Sequence, residues 1–149
     1  MLKIRSLKNT DLVDCAEIIL KAFKKAPYKE KWTKARVLRS LRHDSKGQIR
    51  LSLAALENKK LIGFAIVQLV PWDTADLYFV STLAVKDSEQ NKLIGTKLLV
   101  ELEKRAKKRG IKSINLNANT KSKAFSFYQK NGFQATDWVN MVKKLGSRD

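Results

Sequence analysis

The segment Gln90-Asn91-Lys92-Leu93-Ile94-Gly95-Thr96-Lys97 follows a β-prone run that ends Leu83-Ala84-Val85, with a short acidic-polar link between the two. Where a strand ends, turns and opens a helix, the first helical amides have no internal partner and sit at the positive end of the helix dipole. Such a start suits an anion, best a phosphate or pyrophosphate. Gly95 lets the backbone approach a bound group, and Lys92 and Lys97 add positive charge. An ordinary strand-to-helix turn with a packing glycine is the alternative reading of the same residues. A second segment, Ala124-Phe125-Ser126-Phe127-Tyr128-Gln129-Lys130-Asn131-Gly132-Phe133, sets Ala124 and Tyr128 one helical turn apart on one face. The small residue leaves room beside a phenol that can donate a proton at neutral pH. Its plain alternative is a packing aromatic with an exposed hydroxyl.

These residues need elements to position them. Leu2 to Leu7 alternates apolar and basic residues and reads as a half-buried strand. Thr10 and Asp11 open a helix whose apolar face is Leu12, Cys15, Ala16, Ile19, Ala22 and Phe23, with Pro27 preventing simple continuation. Thr33 caps a second helix with Val37, Leu38 and Leu41 inside and Lys34, Arg36, Arg39 and Arg42 outside. Asp44 to Gly47 reads as a loop, and Ile49, Leu51, Leu53 and Ala55 as an alternating strand. Glu57 to Lys60 breaks it before a second strand, Leu61 to Val70, giving an antiparallel hairpin. Pro71 ends that strand, and Leu77 to Val85 is a third. Leu93 to Arg109 is a helix with Ile94, Leu98, Leu99, Leu102 and Ala106 inside, closed by Gly110. Ile114, Leu116 and Ala118 form a further strand, Ala124 to Lys130 a short helix, and Phe133 to Leu145 one or two final strands. There is no internal repeat or low-complexity linker, so residues 1–149 are expected to form one domain with a sheet covered by helices on both faces.

Composition narrows the setting. With 44% hydrophobic residues, the chain can build a core. No apolar run is long enough to cross a bilayer, and the start has no cleavable apolar segment, so no membrane partner is expected. Cys15 is the only cysteine, which excludes an internal disulfide and a multi-cysteine metal site; no metal and a cytoplasmic setting are expected. Thirty-one Lys and Arg against fourteen Asp and Glu give a formal charge of +17. That excess favours an anionic partner, either a nucleic acid or an anionic small cofactor, or else reflects a solvated surface. The cations are spread over 21–50, 86–112 and 121–144, which argues against a detachable basic arm.

The two opening segments resemble the Arg/Gln-x-x-Gly-x-Gly/Ala loop and the Ala-x-x-x-Tyr-x-x-x-Gly-Phe segment of the Gcn5-related N-acetyltransferases (GNAT), in that family's order and separation. The resemblance implies an α/β fold: a mixed, mostly antiparallel twisted sheet of six to seven strands with helices on both faces, in the order β-α-α-β-β-β-α-β-α-β(β). It implies transfer of an acetyl group from acetyl-CoA to a primary amine of a small molecule or protein by direct attack. Carried across residue by residue, the coenzyme pyrophosphate belongs on Gln90, Asn91, Lys92, Leu93, Ile94, Gly95, Thr96 and Lys97, with Leu93 where the first glycine is usual. The pantetheine arm belongs beside the backbone of Leu83, Ala84 and Val85. Ala124 borders the same groove, and Tyr128 protonates the leaving thiolate. The family's asparagine, seven residues before the tyrosine, is Lys121 here, with Asn119 close by.

The family's usual carboxylate base is absent: Ser81-Thr82 occupies that place. Asp73, Asp76, Glu30 and His43 are the remaining candidates, each also readable as a surface or turn residue, and a water chain to bulk solvent is favoured over all four. Phe23, Trp32 and Trp72, with Ser81 and Thr82, are expected to wall the acceptor side. That region loosely resembles aminoglycoside 6'-N-acetyltransferases, but a polycationic drug would meet a strongly cationic protein. An RNA-bound amine such as aminoacyl-tRNA, held by the basic helix, is a less favoured alternative, and so is a catalytically degenerate protein that binds coenzyme A or nucleic acid. A monomer or a homodimer is expected.

Overall fold

From Leu61 to Val67 every residue is buried, because this run lies mid-sheet with helices against both faces. A computed structural model describes residues 1–24, 31–90 and 92–146. Strand β1 (Leu2–Ser6) leads into α1 (Leu12–Ala22) and α2 (Lys34–Ser45), and β2 (Leu53–Glu57), β3 (Lys60–Val70) and β4 (Leu77–Val85) follow. Helix α3 (Ile94–Lys108), β5 (Ile114–Leu116) and α4 (Lys123–Lys130) complete the order. The sheet runs β1-β2-β3-β4-β5, antiparallel except for the parallel β4–β5 pair. The expected α/β class and mostly antiparallel sheet hold.

Two apolar clusters sandwich the sheet. Leu12, Cys15, Ile19, Val37 and Leu41 of α1 and α2 meet Ala54, Phe64 and Ile66 on one face. On the other, Ile94, Leu98, Leu102 and Ala106 of α3 meet Leu53, Ala55, Val67 and Val80. Asp11 ties β1 to the start of α1: the Arg5 guanidinium donates to both its oxygens at 2.7 and 3.0 Å, and the Lys8 amide donates at 2.8 Å. That paired hydrogen bond with Arg5 holds the Asp11 carboxyl below its ordinary pKa. The Thr33 hydroxyl accepts from the Arg36 amide at 3.2 Å and caps α2 as expected.

Three expectations need correction. Asp44 and Ser45 belong to the last turn of α2 rather than to a loop; the Ser45 hydroxyl donates to the Leu41 carbonyl at 2.7 Å and so needs no turn to satisfy it. Ile49–Leu51 is a single 3-10 turn and not the start of a strand. In a strand Ile49 and Leu51 would share a face, whereas the turn delivers Ile49 to the α1–α2 cluster and Leu51 to the α3 cluster. Finally, the described part of Phe133–Leu145 contains no strand. The sheet therefore has five strands among the described residues instead of six to seven. Pro27 lies outside the described residues.

Candidate active site

Strand β4 changes character at Ser81. Val67 stands opposite Val80 and Ile66 opposite Thr82, so Ser81 is an extra residue bulged out of the β3–β4 ladder. One inserted residue inverts the alternation: Tyr78 and Val80 before it, and Leu83 and Val85 after it, face the same α3-side cluster, while Ala84 faces the other. On the far edge, β5 pairs only with Tyr78, Phe79 and Val80. From Ser81 to Val85 the strand is held by β3 alone among the described residues, and every residue there is half-buried. Its free edge leaves alternate backbone N–H and C=O groups for an extended ligand. The Ser81 hydroxyl is buried and makes no hydrogen bond, an expense that a bare packing role does not explain.

Beyond Val85 the chain is braced before the helix begins. The Lys86 amide donates to the Ile62 carbonyl at 2.7 Å. The Gln90 carboxamide donates to the Val85 carbonyl at 3.2 Å and to the Asp87 carboxylate at 3.3 Å. Gln90 thus holds the loop's shape with its side chain. Leu93 adopts the left-handed conformation, φ 62° and ψ 21°, immediately before α3. A side chain there costs about 1–2 kcal/mol, yet the backbone keeps the shape that a glycine would take freely. The Lys97 amide is bonded to the Leu93 carbonyl at 2.9 Å, which leaves Ile94, Gly95 and Thr96 as first-turn amides without an i−4 helical partner. Successive amides after a left-handed residue form an anion-binding concavity.

Gly95 meets a packing need besides the expected close approach to a ligand. A Cβ on it would stand 2.9 Å from the Phe127 ring of α4, so its missing side chain lets the two helices touch. That contact joins the two sequence motifs. Tyr128 is buried, edge-on to Phe127 at 5.3 Å and to Phe133 at 5.6 Å between centroids. The Asn131 and Phe133 amides both donate to the Tyr128 carbonyl at 3.0 Å, closing α4 beneath it. The ring is therefore fixed by packing on both sides.

Other candidates are placed less favourably. Asn119 is spent on local structure: its side-chain oxygen accepts from the Lys121 amide at 2.8 Å, and its carbonyl accepts from the Ser122 hydroxyl at 2.7 Å. Lys121 is exposed, and Ala124 is half-buried one turn before Tyr128. Lys92 pairs with Glu89 at 2.9 Å, and that bond raises its pKa. It therefore brings its own counter-charge, while Lys97 makes no ion pair among the described residues. Phe23 and Trp32 pack on the same cluster as Ala84, which sets them on the α1–α2 side of the open strand. Trp72 is 66% exposed in the turn before β4, and Asp73 and Asp76 share that turn. Asp76 precedes Ser81 by five residues, about 17 Å of strand, too far to act directly at the bulge. His43 is exposed and contacts Asp44 at 3.2 Å. Glu30 and Asn91 lie outside the described residues. Cavities of about 300 and 500 Å³ contain none of the motif residues; the candidate site lies instead along the edge of β4 that β5 leaves unpaired among the described residues.

Ser81 was legible only as two polar residues, Ser81-Thr82, interrupting an apolar run. The left-handed Leu93 was signalled only by its standing where a glycine is usual in the resembling loop, and the Glu89 counter-charge carried no local signal that separates it from an ordinary loop.

The family described as acetyltransferase (GNAT) matches residues 13–133. Among curated proteins, a spermidine N(1)-acetyltransferase of Thermoplasma acidophilum is 34% identical over 110 residues, 73% of this chain and 66% of the relative. A [ribosomal protein bS18]-alanine N-acetyltransferase of Haemophilus influenzae is 32% identical over 94 residues, 63% of this chain and 62% of the relative. The matched part thus spans just under two thirds of these relatives' own lengths. Among solved structures, one described as a predicted acetyltransferase of Clostridium acetobutylicum, with acetyl-CoA, superposes with a TM-score of 0.72 at 22% identity, covering 95% of this chain and 96% of that one.

Proposed function

Because the chain belongs to the acetyltransferase (GNAT) family, we propose that it transfers the acetyl group of acetyl-CoA to a primary amine of a small molecule or protein by direct attack. The observation that carries this reading is the half of β4 from Ser81 to Val85, paired on one edge only and leading into the amide-lined start of α3. A pantetheine arm pairs with Leu83, Ala84 and Val85 as a missing strand would, and its pyrophosphate rests on the amides of Ile94, Gly95 and Thr96, with Lys97 adding charge. Gln90 and Leu93 shape that loop rather than touch the ligand through their side chains. The Ser81 hydroxyl gains a partner when the acetyl group or the acceptor arrives.

The amine nitrogen forms its bond to the thioester carbon, the carbon–sulfur bond breaks, and Tyr128 gives its proton to the departing thiolate. The proton from the amine leaves through water, in keeping with the absence of a carboxylate at Ser81-Thr82 and the distance to Asp76. Phe23 and Trp32 wall the acceptor side. Trp72, in the distal turn, has no role in this scheme.

Calorimetry with acetyl-CoA, followed by thiol release against a panel of amines, tests the reading. Micromolar binding with amine-dependent thiol release is expected, and no binding at up to millimolar coenzyme would overturn it. The panel includes polyamines, peptides with a free N-terminal alanine and aminoglycosides. The formal charge of +17 disfavours the polycations among them. A second reading, an RNA-bound amine, draws on Arg36, Arg39 and Arg42, all exposed on α2 and without an ion pair among the described residues. RNA retention that falls steeply with salt would favour it.

A further inference from the structure

Arg105, Lys108 and Arg109 stand at i, i+3 and i+4 and so share one side of the C-terminal end of α3. All three line a cavity of about 300 Å³, together with Arg50 of the 3-10 turn before β2. Leu51 and Tyr78 line it from the sheet, and Ser6 from the end of β1.

Basic residues at a helix C-terminus are ordinary, because they complement the negative end of the dipole. Three observations go beyond that use. Arg50 reaches the cavity from a separate element. Arg105 is held in place: its Nε donates to Glu101 Oε1 at 3.1 Å, and its Nη1 donates to Ser6 Oγ at 2.9 Å. The third is Tyr78, which lines the cavity with only 2% of its surface exposed. Its hydroxyl has no hydrogen-bond partner among the described residues. Ser81 Oγ is the only wholly buried side-chain polar atom among them without one, so the Tyr78 hydroxyl keeps a small opening, and the cavity supplies it. A recessed phenol without an acceptor calls for one.

The charge has the sign to match. Glu101 offsets Arg105, while Arg50, Lys108 and Arg109 make no ion pair among the described residues. Three uncompensated cations outweigh the dipole's opposing half charge, roughly −0.5. Arg50 also borders the adjoining cavity of about 500 Å³, where Arg42 and Lys46 keep the potential positive.

We propose that this cavity is a second anion site, which takes a small ligand carrying linked phosphate groups. The arginines offer paired N–H donors to phosphate oxygens, Lys108 adds a point charge, and Tyr78 donates from the inner end. The site is separate from the start of α3, since Arg105 to Arg109 lie about 16–22 Å along the helix from Ile94. The recessed phenol favours a ligand that enters the cavity over a nucleic-acid strand that lies across its rim.

Calorimetry of the full chain with inorganic triphosphate, at about 0.15 M salt, reads the site. One ion per chain with a Kd of about 100 μM or tighter is expected, and no binding up to millimolar triphosphate overturns the proposal. Arg50→Glu with Lys108→Glu changes two exposed side chains and weakens binding at least about tenfold. Lys3→Glu with Lys21→Glu, exposed elsewhere, removes the same charge and leaves binding within about twofold; equal losses in the two pairs mean diffuse attraction and overturn the site. Tyr78→Phe weakens binding about fivefold with an unchanged unfolding midpoint, and unchanged affinity in that variant overturns it. Excess acetyl-CoA leaves the triphosphate bound. Displacement by the coenzyme puts the anion at the start of α3, and binding of a single-stranded RNA without binding of triphosphate makes the surface a nucleic-acid site; either result overturns the proposal.

Discussion

The two halves of β4 share one strand and differ in what they lean on. Leu77 to Val80 lies between β3 and β5, and its residues alternate between half-buried and buried. Among the described residues Ser81 to Val85 lies against β3 alone, and all its residues are half-buried. The first half has its backbone groups satisfied and contributes stability. The second keeps one row of them unpaired among the described residues and so can receive an extended ligand. A single bulged residue separates the two roles, because it turns the strand away from β5 while returning Leu83 and Val85 to the same core.

The contrast predicts a separation between loss of activity and loss of stability. The largest effect falls on Tyr128 of α4: Tyr128→Phe lowers turnover about 10²-fold and leaves acetyl-CoA affinity within about threefold, read by steady-state kinetics and calorimetry. Within the strand, Val80→Ala costs about 2 kcal/mol in urea unfolding while the folded enzyme keeps its turnover. Ser81→Ala does the opposite: it removes a buried hydroxyl without a partner, leaving stability unchanged or higher, and lowers activity. If the two substitutions act alike, the division of β4 is wrong.

Away from β4, Asp11→Asn serves as a stability control and costs about 1.5 kcal/mol at neutral pH. The Arg5 bond depresses the Asp11 pKa in the folded chain. Its stabilisation is therefore complete above the unfolded carboxyl value of about 3.9 and is lost as pH falls through the lower folded value. Unfolding midpoints of the variant should fall less steeply on acidification than those of the parent. Gly95→Val drives a side chain into Phe127 and weakens acetyl-CoA binding about tenfold, about 1.4 kcal/mol, by parting α3 from α4. The smallest effect is at Leu93: Leu93→Gly relieves the left-handed strain, raises stability by about 0.5 kcal/mol after the entropy cost of glycine, and leaves affinity within about twofold.

Much of this arrangement is legible along the chain. The periodic faces of α1, α2 and α3 and the hairpin at Asn58-Lys59 follow from local spacing, since helices and tight turns are made from neighbouring residues. At that hairpin both residues take positive φ, 51° and 67°, as a two-residue turn needs. The strand expected at Ile49–Leu51 failed because alternation also fits a turn feeding two cores. The strands expected within Phe133–Leu145 failed for a different reason: a strand exists only where an edge receives it, and β-prone composition does not name the edge.

Local sequence determined the helices, the strand-to-helix turn that opens α3 and the spacing of Ala124 and Tyr128, because those depend on residues a turn or two apart. Tertiary structure decided that Ser81 bulges, that β5 stops at Leu116 and leaves the rest of β4 open, and that Gly95 makes room for Phe127. Each of these depends on contacts between residues distant in the chain, and no local pattern encodes which strand edge is left without a partner.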